Sequence, residues 1–311
     1  MPRMLSILLL ASCLMGCASL LFYPDRDMRL RPDRLGLSYE DVALTSADGT
    51  KLHGWLLLAQ GDVRGVVLFL HGNAQNISTH IGSVAWLPAE GYHVLLLDYR
   101  GYGLSEGEPS LPGALADVDA AFRWLTAQPR FKDTPLFLLG QSLGADLAAY
   151  YAGARADVRE RLSAAVLDAP FASYRQLARE KLGAFWLTWL LQYPLSLLMP
   201  DAYSPIQNVA ELTLLPLLVI CSKDDEIVPT RDCVALFDAA GQPKQLLLTR
   251  GAHIATFLVP ANRRRVLAFL KEGWRRGEDQ ERRKPAARGE GANRSRETCG
   301  FLPTTDRAAS A

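Results

Sequence analysis

The sequence predicts an α/β protein built on a mostly parallel, doubly wound sheet, and two observations carry that prediction. Short, continuous apolar runs bounded by Gly, Pro or Asp recur through the middle of the chain, and stretches with helical spacing lie between them. Unbroken apolar runs suit strands buried on both faces of a parallel sheet, and strand–helix alternation is how such sheets are built.

The elements follow in order. Tyr39–Leu44 and Leu52–Leu58 flank Ala47-Asp48-Gly49 and read as an antiparallel hairpin ahead of the parallel part. Six strands are then expected at Val66–Leu70, Val94–Leu97, Leu136–Leu139, Ala165–Leu167, Leu217–Ile220 and Gln245–Thr249. Val118, Ala121, Phe122 and Leu125 fall at i, i+3, i+4 and i+7, one face of a helix, and Val266, Phe269 and Leu270 do the same in the last helix. Neither an internal repeat nor a Pro/Gly-rich linker divides this region. One domain over residues 39–274 is the expectation.

Composition narrows the function classes. The 311 residues carry 34 Lys+Arg against 33 Asp+Glu, so a net charge of +1 gives no reason to expect nucleic acid as a partner. With 49% hydrophobic and 22% charged residues the chain can bury a large core. Five cysteines without a CxxC pair exclude a disulfide scaffold and a structural zinc site, and no metal or cofactor is expected. The glycines of Gly101-Tyr102-Gly103 do not make a dinucleotide loop, because Glu106 stands where the third glycine would be. A disulfide between Cys221 and Cys233 is geometrically conceivable in a periplasmic protein, but Cys221 ends an apolar run, where free cysteine is common, and the free thiol is the favoured reading.

Both ends differ from the middle. Arg3 followed by the apolar run Met4–Ala11 reads as a secretory signal over residues 1–16, too short to span a membrane. Leu14-Met15-Gly16-Cys17 resembles the lipobox of bacterial lipoproteins; Leu10-Ala11-Ser12-Cys13 is a second, overlapping match. Cys17 is preferred as the acylated residue because it leaves the longer apolar run upstream. The resemblance implies an anchor segment over 17–38 and a lipid-anchored protein of the bacterial envelope. Ala18, where a retention Asp could stand, favours the periplasmic face of the outer membrane. An ordinary signal peptide or uncleaved anchor is the alternative. Residues 275–311 hold nine Lys/Arg and six Asp/Glu with few large apolar residues, so a disordered tail is expected there.

The chemistry starts at one serine. Gly140-Gln141-Ser142-Leu143-Gly144 follows a strand and precedes the helix-forming run Ala145–Tyr150, the context of a nucleophile elbow. A serine hydroxyl needs an adjacent base. Of the five histidines, His253 alone lies in a loop just past the last strand, at the carboxyl edge where open α/β sheets place their sites. His53 and His93 alternate into strands, and His80 sits on a polar helical stretch with no partner in view. The acid that orients the base comes from Asp224-Asp225-Glu226, after the strand Leu217–Ile220.

With these segments in view the chain resembles the α/β-hydrolase superfamily, over about residues 40–274, and within it the serine-aminopeptidase-like branch with short caps. Members often read G-x-x-D-x-[IV]-V-P at the acid. Alignment on Ile227-Val228-Pro229 puts the acid at Asp225, with Ser222 in the glycine position and Asp224 as the other candidate. The order Ser142, Asp225, His253 is the family's order. His71-Gly72-Asn73-Ala74 stands where the family places its oxyanion loop, which implies donors at the backbone N–H of Leu143 and Asn73 and a packing role for His71. Asp98-Tyr99-Arg100-Gly101-Tyr102-Gly103 and Asp168-Ala169-Pro170-Phe171 also match. Both aspartates are read as structural, with Asp168 a secondary candidate for the acid.

The resemblance places a helical cap at about residues 171–210. No charged side chain occurs from Leu182 to Met199, and Leu182, Phe185, Trp186, Trp189, Leu190, Tyr193 and Leu197 fall on helical spacing. The stripe reads first as a helix covering the core, second as an acyl-binding or membrane-touching lid that brings Phe185, Trp186 and Trp189 to a substrate. The implied activity is a serine hydrolase acting on carboxylic esters or thioesters with an apolar acyl part. A peptidase is a further option, and a non-catalytic envelope scaffold or lipid-binding protein is the alternative from another class. Radiolabelled palmitate is expected to enter the wild-type chain and not the Cys17→Ala variant. Equal labelling of both would contradict acylation at Cys17.

Overall fold

A computed structural model describes residues 21–283 except residue 185, with side chains described as far as residue 273. The lipobox cysteines, Phe185 and the chain beyond 283 lie outside the described residues.

Eight strands form one sheet: β1 (Tyr39–Thr45), β2 (Lys51–Leu57), β3 (Gly65–Leu70), β4 (Tyr92–Asp98), β5 (Leu136–Gln141), β6 (Leu162–Asp168), β7 (Leu217–Ser222) and β8 (Lys244–Thr249). The spatial order is β8-β7-β6-β5-β3-β4-β2-β1. The β1–β2 and β2–β4 pairs are antiparallel, and all the others are parallel. This is an α/β-hydrolase fold with each expected strand in place. The central strands are buried along their whole length because alternate residues feed different layers. Val66, Leu68 and Leu70 join a core under one face with Leu138 and Val219, while Val67 and Phe69 join a core under the other with Leu139 and Ile220.

Helix α1 (Leu111–Ala127) starts at a Ser110 cap, whose side chain accepts from the Gly113 N–H, and buries Val118, Ala121, Phe122 and Leu125. Helix α2 (Leu143–Ala154) follows β5 directly, and α3 (Ala156–Arg161) leads into β6. The cap holds α4 (Tyr174–Ala184) and α5 (Gln192–Ser196), α6 (Thr230–Ala239) and α7 (Pro260–Arg283) follow β7 and β8, and a single helical turn, Ile77–His80, lies between β3 and β4. Val266, Phe269 and Leu270 of α7 are buried in the second core.

Four expectations need correction. Cys221, ending β7, and Cys233, in the first turn of α6, form a disulfide. The helix packs back on its own strand and brings the two Cα atoms to 5.8 Å, well inside bridging range. The region from 275 is not irregular throughout, since α7 continues to Arg283. Arg, Glu and Gln are good helix formers, and here they extend a helix already nucleated on the core. The cap stripe is not one continuous helix: α4 stops at Ala184, and residues 186–188 turn. The stripe has apolar residues on every side, so no single buried face holds it straight. Nor does it cover the core, because Trp186, Leu187, Trp189, Leu190, Tyr193 and Leu197 are exposed. Finally, His80 is buried. Its Nε2 lies 2.9 Å from the Ala74 carbonyl and its ring packs on His71.

The tightest packing lies at the β5–α2 turn. A Cβ on Gly144 would stand 2.0 Å from the Leu70 carbonyl oxygen, and one on Gly140 would stand 2.3 Å from the Gly144 carbonyl oxygen. Backbone atoms cannot yield as a flexible side chain can. Gly144→Ala is therefore expected to destabilise the domain by about 3 kcal/mol or more in urea unfolding, at the upper end of overpacking effects. A loss below about 0.5 kcal/mol would show that the turn is looser than described.

Candidate active site

Ser142 sits between β5 and α2 with φ 53° and ψ −123°, a conformation that L-residues rarely adopt. It costs on the order of 1–3 kcal/mol and persists where the surroundings over-determine it. Here they do. The Ser142 N–H donates to the Asp168 carbonyl at 2.9 Å, and its own carbonyl accepts from Ala145 at 2.8 Å, starting the helix. The glycines two residues away on each side leave room for the reversal, and the hydroxyl is thrust out at the helix N-terminus.

Three separate loops meet at this hydroxyl. His253, after β8, places Nε2 2.9 Å from Ser142 Oγ and Nδ1 2.8 Å from Asp225 Oδ2. Asp225, after β7, turns its other oxygen to the N–H groups of Ile227 and Val228 at 2.9 and 2.8 Å. Burial raises the cost of its charge, but the His253 bond and these two N–H groups outweigh it and hold the carboxyl below the usual Asp value. An ionised Asp225 accepts a hydrogen bond from Nδ1–H, which leaves the Nε2 lone pair facing the serine. The other acids of the loop point elsewhere. Asp224 accepts from the Gly251 N–H at 3.2 Å and faces Arg250, and Glu226 accepts from the His253 N–H at 3.2 Å.

Asp168 does not reach the imidazole. It accepts from Gln141 Nε2 and Thr256 Oγ1, both at 2.7 Å, and Gln141 also reaches the Ile254 carbonyl. Since Ile254 has a left-handed backbone, with φ 53°, Asp168 pins the turn that carries His253. Burial pushes the Asp168 carboxyl up to about 6.

The loop after β3 runs against the nucleophile: a Cβ on Gly72 would lie 3.7 Å from Ser142 Cβ. The Leu143 N–H belongs to the first turn of α2 and has no acceptor within its helix. Asn73 is held by its carbonyl, which accepts from Tyr102 Oη at 2.6 Å and from the Tyr23 N–H at 2.9 Å. Tyr99 Oη donates to the His71 carbonyl at 3.0 Å. The buried His71 ring packs against both tyrosines, and desolvation, together with the neighbouring His80, keeps its pKa well below the usual value. A neutral His71 under the loop is a support. The roles of Tyr99 and Tyr102 escaped sequence reasoning. Their signal was an aromatic pair in the loop after β4, but nothing in it showed which backbone carbonyls they would meet.

Comparison with known proteins decides the family. The chain is 34% identical to the uncharacterised protein YfhR of Escherichia coli K12 over 242 residues, 76% of this chain and 80% of that one. It is 30% identical to the alpha/beta hydrolase domain-containing protein WAV2 of Arabidopsis thaliana, over 74% of this chain and 77% of that one. The chain belongs to the α/β-hydrolase superfamily. Within it, the family described as serine aminopeptidase, S33, matches residues 61–204. Among solved structures, the Pyrococcus furiosus esterase Pf2001 shares the fold with a TM-score of 0.65 at 24% identity, covering 81% of this chain and 97% of that one.

The Asp168 carboxyl yields a pH test. In the unfolded chain it would titrate near the ordinary Asp value of about 3.9. The folded state holds the proton up to about 6. Its favourable contribution is therefore complete below the unfolded value and is lost as pH rises through the folded one. Asp168→Asn keeps one acceptor for Gln141 and offers Thr256 a donor. Relative to wild type it is expected to gain about 1 kcal/mol in urea unfolding at pH 8 compared with pH 5. An offset that does not change with pH would contradict the burial assignment.

Proposed function

We propose that this α/β-hydrolase is a serine hydrolase that cleaves carboxylic esters or thioesters with an apolar acyl part, through an acyl-enzyme. The observation that carries the reading is the unbroken chain from Ser142 Oγ through His253 to Asp225, with links of 2.9 and 2.8 Å, at a strained elbow. Ser142 Oγ attacks the substrate carbonyl while His253 Nε2 takes its proton. Asp225 holds the imidazole in the productive tautomer and stabilises the imidazolium. The N–H groups of Leu143 and Asn73 are the donors for the oxyanion, a contribution of about 3 kcal/mol per donor. Collapse of the tetrahedral species expels the alcohol or thiol, protonated by His253. The same base then activates water to release the acid.

An apolar acyl group is favoured over a peptide by the cap, whose chain from 182 to 199 is uncharged. Trp186 and Trp189 are our candidates for contact with that group. The protein is further proposed to be anchored through an acylated Cys17 in the bacterial envelope, at the periplasmic face of the outer membrane. The Cys221–Cys233 disulfide supports an oxidising compartment.

A fluorophosphonate probe is expected to label the wild type and leave Ser142→Ala unlabelled. Asp225→Asn, which disfavours the productive tautomer, is expected to lower kcat on a soluble ester by about 10⁴-fold with the fold intact. Absence of labelling in folded wild type, or near-normal turnover by Asp225→Asn, would overturn the reading and favour a non-catalytic scaffold.

A further inference from the structure

The cap presents an apolar surface that the domain does not cover. Trp186 and Leu190 are 80% and 77% exposed, and Leu187, Trp189, Tyr193 and Leu197 are each more than half exposed. The two indoles alone leave roughly 300 Å² bare, taking 150–250 Å² per aromatic side chain. With their neighbours they exceed what soluble monomers ordinarily show. This surface is held out by design of the local chain. The two ends of the cap are stitched together by the Tyr174 N–H to Ser204 Oγ bond at 3.0 Å and the Ile206 N–H to Ala172 carbonyl bond at 3.1 Å. The segment between them keeps Met199 in the core and turns its tryptophans outward.

What covers it is indicated by charge and by the path of the chain. Cations border the apolar surface: Lys181 is exposed, and the Arg179 guanidinium lies 4.8 Å from the Tyr193 ring centre. On the same carboxyl edge of the sheet, α7 opens just after the exposed Leu258, and Arg264 and Arg265 are exposed in its second turn. The described chain also enters at this edge. Tyr23 and Pro24 pair with Ala74 and Gln75, immediately after the oxyanion loop. The sequence ahead of this point contains the apolar run Met4–Ala11. The anchor proposed above for that part of the chain would attach beside the loop after β3 and hold the catalytic rim, and not the opposite edge, toward a membrane.

We propose that the cap face, with Trp186, Leu187, Trp189, Leu190 and Leu197 at its centre, docks into the interfacial layer of an anionic phospholipid bilayer and turns the mouth of the site toward it. Indoles and leucines enter the acyl boundary, and the lysine and arginines meet the phosphates. Delivery of a membrane-borne ester to Ser142 rests on the proposed hydrolase function; the docking itself does not.

The test uses the full chain with phosphatidylglycerol/phosphatidylethanolamine vesicles, with and without bromine on the acyl chains. Bromine is expected to quench tryptophan emission in the wild type. In a Trp274→Phe background, Trp186→Phe/Trp189→Phe is expected to lose most of that quenching, because of the other tryptophans Trp55 is buried and Trp86 and Trp124 are half-buried. The Ser142→Ala variant should be quenched like wild type, so docking is read without turnover. Leu187→Glu/Leu190→Glu, checked for an unchanged unfolding midpoint, is expected to lose at least tenfold more activity on a vesicle-embedded ester than on a soluble short-chain one. Absent quenching, quenching that survives the double Phe variant, or a dimer that shields both indoles in detergent would each overturn the proposal. The dimer would assign the face to a second copy.

Discussion

The reversal of the chain at Ser142 is the constraint on which the rest of the structure depends. A left-handed residue between a fully buried strand and a largely buried helix is costly, and three things hold it in place. Gly144 lets α2 close on the Leu70 carbonyl, Gly140 lets the strand pass under the helix, and Asp168 supplies the acceptor for the Ser142 N–H. The backbone sets the direction of the Ser142 Cα–Cβ bond, and the 2.9 Å contact with His253 Nε2 holds the hydroxyl. It stands at the carboxyl edge, where β3 and β4 lie on one side of the topological switch and β5 to β8 on the other.

Around that fixed point the remaining groups are each held by something other than themselves. Asp225 is tied to two backbone N–H groups, the His253 turn is tied to Asp168 through Thr256 and Gln141, and the loop after β3 is wedged by Tyr99 and Tyr102. Such support costs a preorganised site little reorganisation when charge develops, which is where most of the electrostatic benefit lies. A buried carboxyl at 168 is the liability of this plan. It holds its proton into the mildly acidic range, yet it sits where the imidazole loop has to be fastened.

Much of this was legible in the sequence, for physical reasons. A strand buried on both faces carries an unbroken apolar run, so β3 to β7 announce themselves, and an elbow must have small residues at fixed offsets, so Ser142 does too. Chain order and edge then single out His253 and Asp225 as the groups that meet it. Legibility fails where the deciding contact is remote in sequence. The pairing of Cys221 with Cys233 depends on how closely α6 lies on its strand, and the burial of His80 depends on the loop it supports. The cap fails differently. Its spacing is helical, but spacing reports a buried face only when there is something for that face to cover, and here Trp186, Leu187, Trp189, Leu190, Tyr193 and Leu197 face outward.

The most direct measurement of the central claim is the crystal structure of the protein after reaction with a fluorophosphonate. The account predicts phosphorus bonded to Ser142 Oγ, its oxygen within about 3 Å of the N–H groups of both Leu143 and Asn73, and the His253 ring still bonded to Asp225. A phosphonyl oxygen turned away from both N–H groups, or an imidazole swung free of the carboxylate, would contradict it.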